Sequence, residues 1–124
     1  MRIGQYTTEK EWFSKEVLGR LAAGQIPAKW LLDVRIVNAV DEIREHFNVP
    51  VLMNTDTLQG RGFRTKEEND HIEAAVEFSQ HQYGRAADIT LPGVVPQVVA
   101  DFAATLGLFT KVYPTWTHID CRWL

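Results

Sequence analysis

"SQHQYGRAADI", Ser79 to Ile89, places a histidine, a glycine and an aspartate within one short segment. Gly84 permits a sharp backbone turn after His81. The segment Ala86–Leu91 predicts a β-strand, and Asp88 lies within it. A histidine and an aspartate at this spacing fit either a metal site or ordinary packing beside an edge charge, and the spacing alone leaves both roles open.

A second histidine lies on the last predicted strand, Thr117–Arg122. If that strand neighbours the one that carries Asp88, His118 and Asp88 come together, with His81 close by. Two imidazoles and one carboxylate suit zinc, which keeps a fourth position for water or substrate when the protein supplies three ligands. Because side chains alternate along a strand, Asp120 should share the face of His118 and can orient an imidazole.

The remaining pattern predicts helices outside a small sheet. The strongest periodicity, over Ala28–Phe47, predicts a helix that ends before Asn48 and Pro50. The fold class is therefore α+β, with a small antiparallel sheet that carries the metal site and packs against helices. The other predicted elements are a helix from a capping box at Thr8 through Leu21, a strand Val51–Asn54, a loop Asp56–Arg64, a helix Lys66–Val76, a helix from Pro96 to about Leu106 and a strand Lys111–Tyr113.

Composition limits the class of protein. The 124 residues are 45% hydrophobic and 23% charged with a net charge of −3, which predicts one globular domain over residues 1–124. No basic block points to nucleic acid, and no apolar run points to a membrane span or a signal peptide. We therefore expect a protein that is cytoplasmic as synthesised. The one cysteine, Cys121, cannot form an internal disulfide and should be a buried thiol facing away from His118.

The quoted stretch resembles the S-x-H-x-x-G-x-A-x-D signature of the D-alanyl-D-alanine carboxypeptidase-like zinc peptidases. These enzymes share a metal-site architecture with lysostaphin-type enzymes and the hedgehog signalling domain. "WTHIDCRW" is similar to the second motif of the family, x-H-x-D near the C-terminus, and "GFRTKEEN" resembles its S-G-Y-R…N segment. The resemblance runs from about Ala28 onward and is greatest to short phage and prophage members.

That resemblance implies zinc held by His81, Asp88 and His118. The implied reaction is hydrolysis of an amide bond in peptidoglycan stem peptides or cross-links, for instance in phage lysis, with zinc polarising the scissile carbonyl. Arg64 would anchor a substrate carboxylate through its planar fork, with a solvated loop arginine as the alternative. The other substrate-binding candidates that the resemblance implies are Arg61, the fallback anchor, and Ser79.

One position departs from the family pattern. Many of these enzymes have an acidic residue or histidine three residues before the last zinc ligand, and here that residue is Thr115, whose hydroxyl is a poor proton acceptor. The possible replacements are Asp120, Asp56 and Glu77, each of which also fits a structural role. Thr115 therefore favours a second hypothesis, a zinc-binding structural or binding module of a virion or tail without turnover. A metal-free domain is the third.

The other histidines and tryptophans fit structural roles. His46 and His71 have no partner at ligand spacing and are interpreted as surface residues. Trp116 and Trp123 are interpreted as core or pocket-wall aromatics, and Trp116 alone as a possible substrate platform.

Overall fold

The structure, a computed structural model, describes residues 2–24, 31–53, 81 and 84–122. The predicted loop Asp56–Arg64 and helix Lys66–Val76 lie outside these residues. The strands are Arg2–Ile3 (β1), Thr7–Thr8 (β2), Leu52–Met53 (β3), Ala86–Thr90 (β4), Phe109–Val112 (β5) and Thr117–Asp120 (β6). The helices are Glu9–Trp12 (α1), Lys15–Ala22 (α2), Val34–Phe47 (α3) and Pro96–Thr105 (α4).

The main sheet is small and antiparallel, with the strand order β3-β4-β6-β5. Helix α4 packs on β5 and β6 and contacts α3, and α1 contacts β3. The strands β1 and β2 form a separate antiparallel hairpin, which the sequence did not predict. The α+β prediction is therefore confirmed, and β4 and β6 are neighbours. Among the described residues, no helix is long and apolar enough to cross a membrane.

Helix α3 is shorter than the predicted helix Ala28–Phe47. It begins at Val34 because the carboxylate of Asp33 accepts a hydrogen bond from the Arg35 backbone N–H, which caps the helix. It ends as predicted, at Asn48 in the left-handed conformation with φ 53°. Its core face also follows the predicted periodicity: the buried residues of α3 are Ile36, Val37, Ala39, Val40 and Ile43.

The predicted helix Thr8–Leu21 is in fact two helices, α1 and α2. The side chain of Ser14 accepts a hydrogen bond from the Val17 backbone N–H and starts α2 afresh. The extended residue Phe13 ends α1, and both Trp12 and Phe13 are fully buried. The break lets two consecutive aromatic side chains enter the core, which a continuous helix would point about 100° apart.

The strand ends are set by pairing as much as by composition. Strand β5 starts at Phe109, two residues before its predicted start at Lys111, because Phe109 pairs with Asp120 on β6. Strand β6 ends at Asp120 and does not reach Arg122, whose backbone N–H donates to the Asp120 side chain. That turn at the end of β6 belongs to the candidate metal centre.

Candidate metal centre

Register places the second histidine beside the aspartate. Asp88 on β4 pairs directly with His118 on β6, so both side chains project from the same face of the sheet. The next pair, Ala87 and Ile119, projects from the opposite face and is fully buried in the hydrophobic core. One face of the sheet is therefore covered by the core, and the other carries the polar cluster.

Three potential ligands meet on this polar face. One ligand atom from each of His81, Asp88 and His118 lies within 4.8 Å of the other two. The Asp88 carboxylate joins them, since its Oδ2 is 3.2 Å from His81 Nε2 and its Oδ1 is 2.9 Å from His118 Nδ1. His81 is 1% exposed and Asp88 is 5% exposed. The chain thus brings together the three residues that the sequence motifs singled out, and they can hold a metal ion.

The turn at Gly84 positions His81 next to strand β4. Gly84 adopts φ +67° and donates its backbone N–H to the His81 carbonyl at 3.2 Å. Its own carbonyl accepts from the Asp33 backbone N–H at 2.8 Å. A Cβ at this position would lie 1.8 Å from the carbonyl oxygen of Leu31. Glycine is required both for the φ angle and for the close approach of the segment before α3.

Asp120 lies two residues beyond His118, on the same face. Its Oδ2 is 2.8 Å from His118 Nε2, the hydrogen bond that strand alternation predicts. Arg122 grips both carboxylate oxygens of Asp120, with Nε 2.9 Å from Oδ1 and Nη2 2.7 Å from Oδ2. Asp120 is fully buried. A buried carboxylate held through both oxygens suits the orientation of His118 and not proton abstraction from water.

The electrostatics of the cluster keep the carboxylates ionised. Burial raises the pKa of the Asp88 carboxyl, but hydrogen bonds from His118 and His81 outweigh burial and hold this pKa well below its ordinary value. Burial also raises the pKa of Asp120, and hydrogen bonds from His118 and Arg122 bring it down to about 2. Burial lowers the pKa of the His118 imidazole, yet the contacts with Asp120 and Asp88 leave it raised. Metal binding needs this carboxylate form of Asp88.

The raised pKa of His118 predicts how stability depends on pH in protein stripped with EDTA. Because the folded pKa exceeds the unfolded value of 6.5, the contribution is complete below about pH 6.5 and is lost as pH rises through the folded pKa. We expect the free energy of unfolding, measured by urea titration, to fall over that window. His118→Gln should remove the fall, and the exposed-histidine variant His46→Gln should retain it. If the free energy of unfolding falls by the same amount in His118→Gln, the pH dependence belongs to another titrating group.

The structure also locates the departure from the family pattern. Thr115 is exposed in the β5–β6 connection, and its backbone carbonyl accepts from the Thr90 hydroxyl at 3.0 Å. Trp116 is half-buried and stacks on Tyr113 with ring centroids 4.4 Å apart, which fits a wall residue. His46 is exposed, and its ring stacks on Phe102 at 3.8 Å. The candidates that lie outside the described residues are Arg61, Arg64, Asp56, Glu77, Ser79, His71 and Trp123.

Two residues of the centre were missed by sequence reasoning. Arg122 holds Asp120, and the Phe109 ring lies beneath the Arg122 guanidinium, 3.8 Å from its central carbon. The available signal was an aspartate followed two residues later by an arginine at a strand end, where a bidentate pair can form locally. Cys121, by contrast, is buried in the core as predicted, and burial raises the pKa of its thiol.

Fold and cluster together define a metallopeptidase-like centre on a small sheet. The family model for peptidase M15 matches residues 15–120, a span that contains all three potential ligands and Asp120. The chain therefore belongs to the peptidase M15 family, in agreement with the resemblance to D-alanyl-D-alanine carboxypeptidase-like peptidases. This membership supports a metallopeptidase. No curated protein and no solved structure matches the chain.

Proposed function

We propose that the protein is a zinc-dependent peptidase that hydrolyses an amide bond in peptidoglycan stem peptides or cross-links. The observation that carries this proposal is the convergence of His81, Asp88 and His118 on one sheet face within a chain of the peptidase M15 family. A role in phage or prophage lysis, at the cell wall after release from the cytoplasm, is part of the proposal and rests on the sequence resemblance.

The donor set fits zinc. Two imidazole nitrogens and one carboxylate are ligands that zinc prefers, and three of them leave a coordination position for substrate or water. His81 and Asp88 are nearly inaccessible to solvent, as expected of ligands that a protein holds in fixed positions. When bound at these residues, zinc supplies a Lewis acid that polarises a peptide carbonyl.

Different residues of the chain would bind the ion, orient its ligands and bind the substrate. His81, Asp88 and His118 hold the ion, and Asp120 orients the His118 ring through the 2.8 Å contact at Nε2. The Trp116 ring, two residues before His118, offers a flat apolar surface against which a peptide can pack. A carboxylate of the stem peptide calls for a cationic anchor, and Arg64 remains our candidate, with Arg61 as the alternative.

A second candidate function is favoured by one specific observation. Thr115 occupies the usual acid–base position, and Asp120, the described replacement candidate, is buried and held by Arg122. Asp56 and Glu77 remain proposals for the proton acceptor. If neither serves, the protein is a zinc-holding module that grips a peptide without cleaving it, as a virion or tail component would.

The two functions are separated by incubating zinc-loaded protein with defined muropeptides and reading the products by mass spectrometry. We expect fragments whose mass identifies the cleaved amide, because the ligand set and the family are those of a hydrolase. EDTA should abolish the fragments, and re-addition of zinc should restore them.

The same assay should be run on the ligand variant Asp88→Asn, for which Asp101→Asn is the matched control. Asp101 is an exposed aspartate on α4 that accepts a hydrogen bond from Gln97 at 2.9 Å, and it is not one of the three potential ligands. The Asp101→Asn protein should cleave muropeptides as the wild type does. Intact muropeptides beside one tightly bound zinc would contradict the peptidase and support the binding module.

A further inference from the structure

Arg122 donates three hydrogen bonds to the carboxylate of Asp120. Its side chain donates from Nε to Oδ1 and from Nη2 to Oδ2, and its backbone N–H donates to Oδ1 at 3.1 Å. Three donors therefore fix the carboxylate of a side chain that is fully buried. Bidentate pairing of this kind sets the plane of a carboxylate as well as its position.

The plane of the guanidinium is itself held from the neighbouring strand. Phe109 on β5 is the register partner of Asp120, and its ring centroid lies 3.8 Å from the central carbon of the Arg122 guanidinium. An arginine over an aromatic face is attracted by the ring and restricted in its orientation. Arg122 is 36% exposed through its side chain, so the fork forms at the boundary between core and solvent.

Asp120, held in this way, in turn orients the imidazole of His118. A carboxylate paired with an arginine is ionised and has no proton to donate, so it accepts from His118 Nε2 at 2.8 Å. When Asp88 is itself a metal ligand, Asp120 is the carboxylate left to accept from the ring, and it would place the proton of neutral His118 on Nε2. The other nitrogen, Nδ1, faces the Asp88 carboxylate at 2.9 Å, on the side where His81 also lies.

We propose that Arg122 is a positioning residue of the metal centre: through Asp120 it fixes the ring and the tautomer of His118, so that Nδ1 is the nitrogen that binds the metal. This inference rests on the metal centre of the proposed function but not on peptide hydrolysis. Without the Arg122 side chain, Asp120 loses the two donors that set the plane of its carboxylate, so the carboxylate can rotate away from His118 Nε2 and the ring can take the opposite tautomer. The opposite tautomer carries its proton on Nδ1 and cannot bind a metal there.

The experiment measures zinc affinity by competition with a chromophoric chelator. Loss of an outer partner of a metal ligand typically weakens affinity by about 10–100-fold, and we expect a loss in that range for Arg122→Met. Arg122→Lys restores the charge without the fork, so its loss should be clearly smaller. Asp120→Asn should weaken zinc binding as much as Arg122→Met, and the double variant should lose little more, because the two residues act in series.

The matched control is Arg35→Met. Arg35 grips Asp33, two residues before it, with the same fork, Nε to Oδ1 at 3.0 Å and Nη2 to Oδ2 at 2.6 Å, and the same backbone bond. Asp33 caps α3 and contacts no imidazole in the described residues. Arg35→Met should therefore keep wild-type zinc affinity, even if it lowers the unfolding temperature.

A second readout reports the tautomer directly. Nitrogen-15 NMR of the zinc-loaded wild type should show His118 protonated at Nε2 and coordinated through Nδ1. Coordination through Nε2, or wild-type zinc affinity in folded Arg122→Met, would overturn the positioning role alone. Additive losses in the double variant would overturn the serial arrangement on which the role depends. Wild-type protein that takes up no zinc would overturn the metal centre, and this inference with it.

Discussion

Asp88→Asn is expected to lose tight zinc binding and, with it, all zinc-dependent hydrolysis. Asp88 contacts both histidines of the cluster, at 3.2 Å from His81 Nε2 and 2.9 Å from His118 Nδ1. An asparagine keeps the size of the side chain but replaces an anionic ligand by a neutral amide. The loss of affinity should exceed the roughly 10–100-fold that removal of an outer partner costs.

The same variant separates metal binding from folding. Because the asparagine still fills the site and can still hydrogen-bond an imidazole, we expect native circular dichroism from Asp88→Asn. Zinc stoichiometry by equilibrium dialysis, beside the surface control Asp101→Asn, is the measurement. A folded Asp88→Asn protein with wild-type zinc affinity would remove Asp88 from the ligand set.

Gly84→Ala is expected to lower the free energy of unfolding more than the same substitution at Gly93. The left-handed φ of +67° costs an alanine roughly 1–2 kcal/mol. The added Cβ would also lie 1.8 Å from the Leu31 carbonyl oxygen, and overpacking against a backbone atom adds about 1–3 kcal/mol. Urea unfolding in EDTA measures the sum.

Gly93→Ala is the matched control for that variant. Gly93 has a similar φ of +77°, but a Cβ there would meet nothing within 4 Å, so it carries the conformational cost alone. The difference between the two variants isolates the contact with Leu31. Since Gly84 also bonds to the His81 carbonyl, zinc affinity should fall in Gly84→Ala and stay unchanged in Gly93→Ala. Equal unfolding free energies for Gly84→Ala and Gly93→Ala would mean that the segment before α3 moves away from the added methyl group at no cost.

The parts of the fold that sequence predicted are those with a local cause. The apolar face of α3 follows from helical periodicity. The helix ends at Asn48, in the left-handed conformation, as Asn48 and Pro50 predicted from the sequence. The alternation that places His118 and Asp120 on one face is likewise a property of a single strand. These features need no knowledge of what lies across the sheet.

The parts that were missed depend on a partner distant in sequence. The start of β5 at Phe109 is set by its pairing with Asp120, and edge positions take their structure from the neighbouring strand. The break after Trp12 depends on core space for two aromatic rings. The approach of Leu31 to Gly84 joins segments far apart in the chain, so the glycine predicted a turn but not its neighbour.

The pairing of Asp88 with His118 across β4 and β6 has a consequence for the unfolded chain. The two residues are 30 positions apart, and a bridging ion would close the loop between them. The unfolded chain would have to give up the freedom of that loop to bind the ion at both residues, so zinc would bind the folded chain preferentially and stabilise it, whereas a covalent cross-link constrains the unfolded chain itself. With its single cysteine, this chain cannot make such a link from sulfur. Zinc held by these residues would give it a reversible one, which a chelator could open and excess metal could close again.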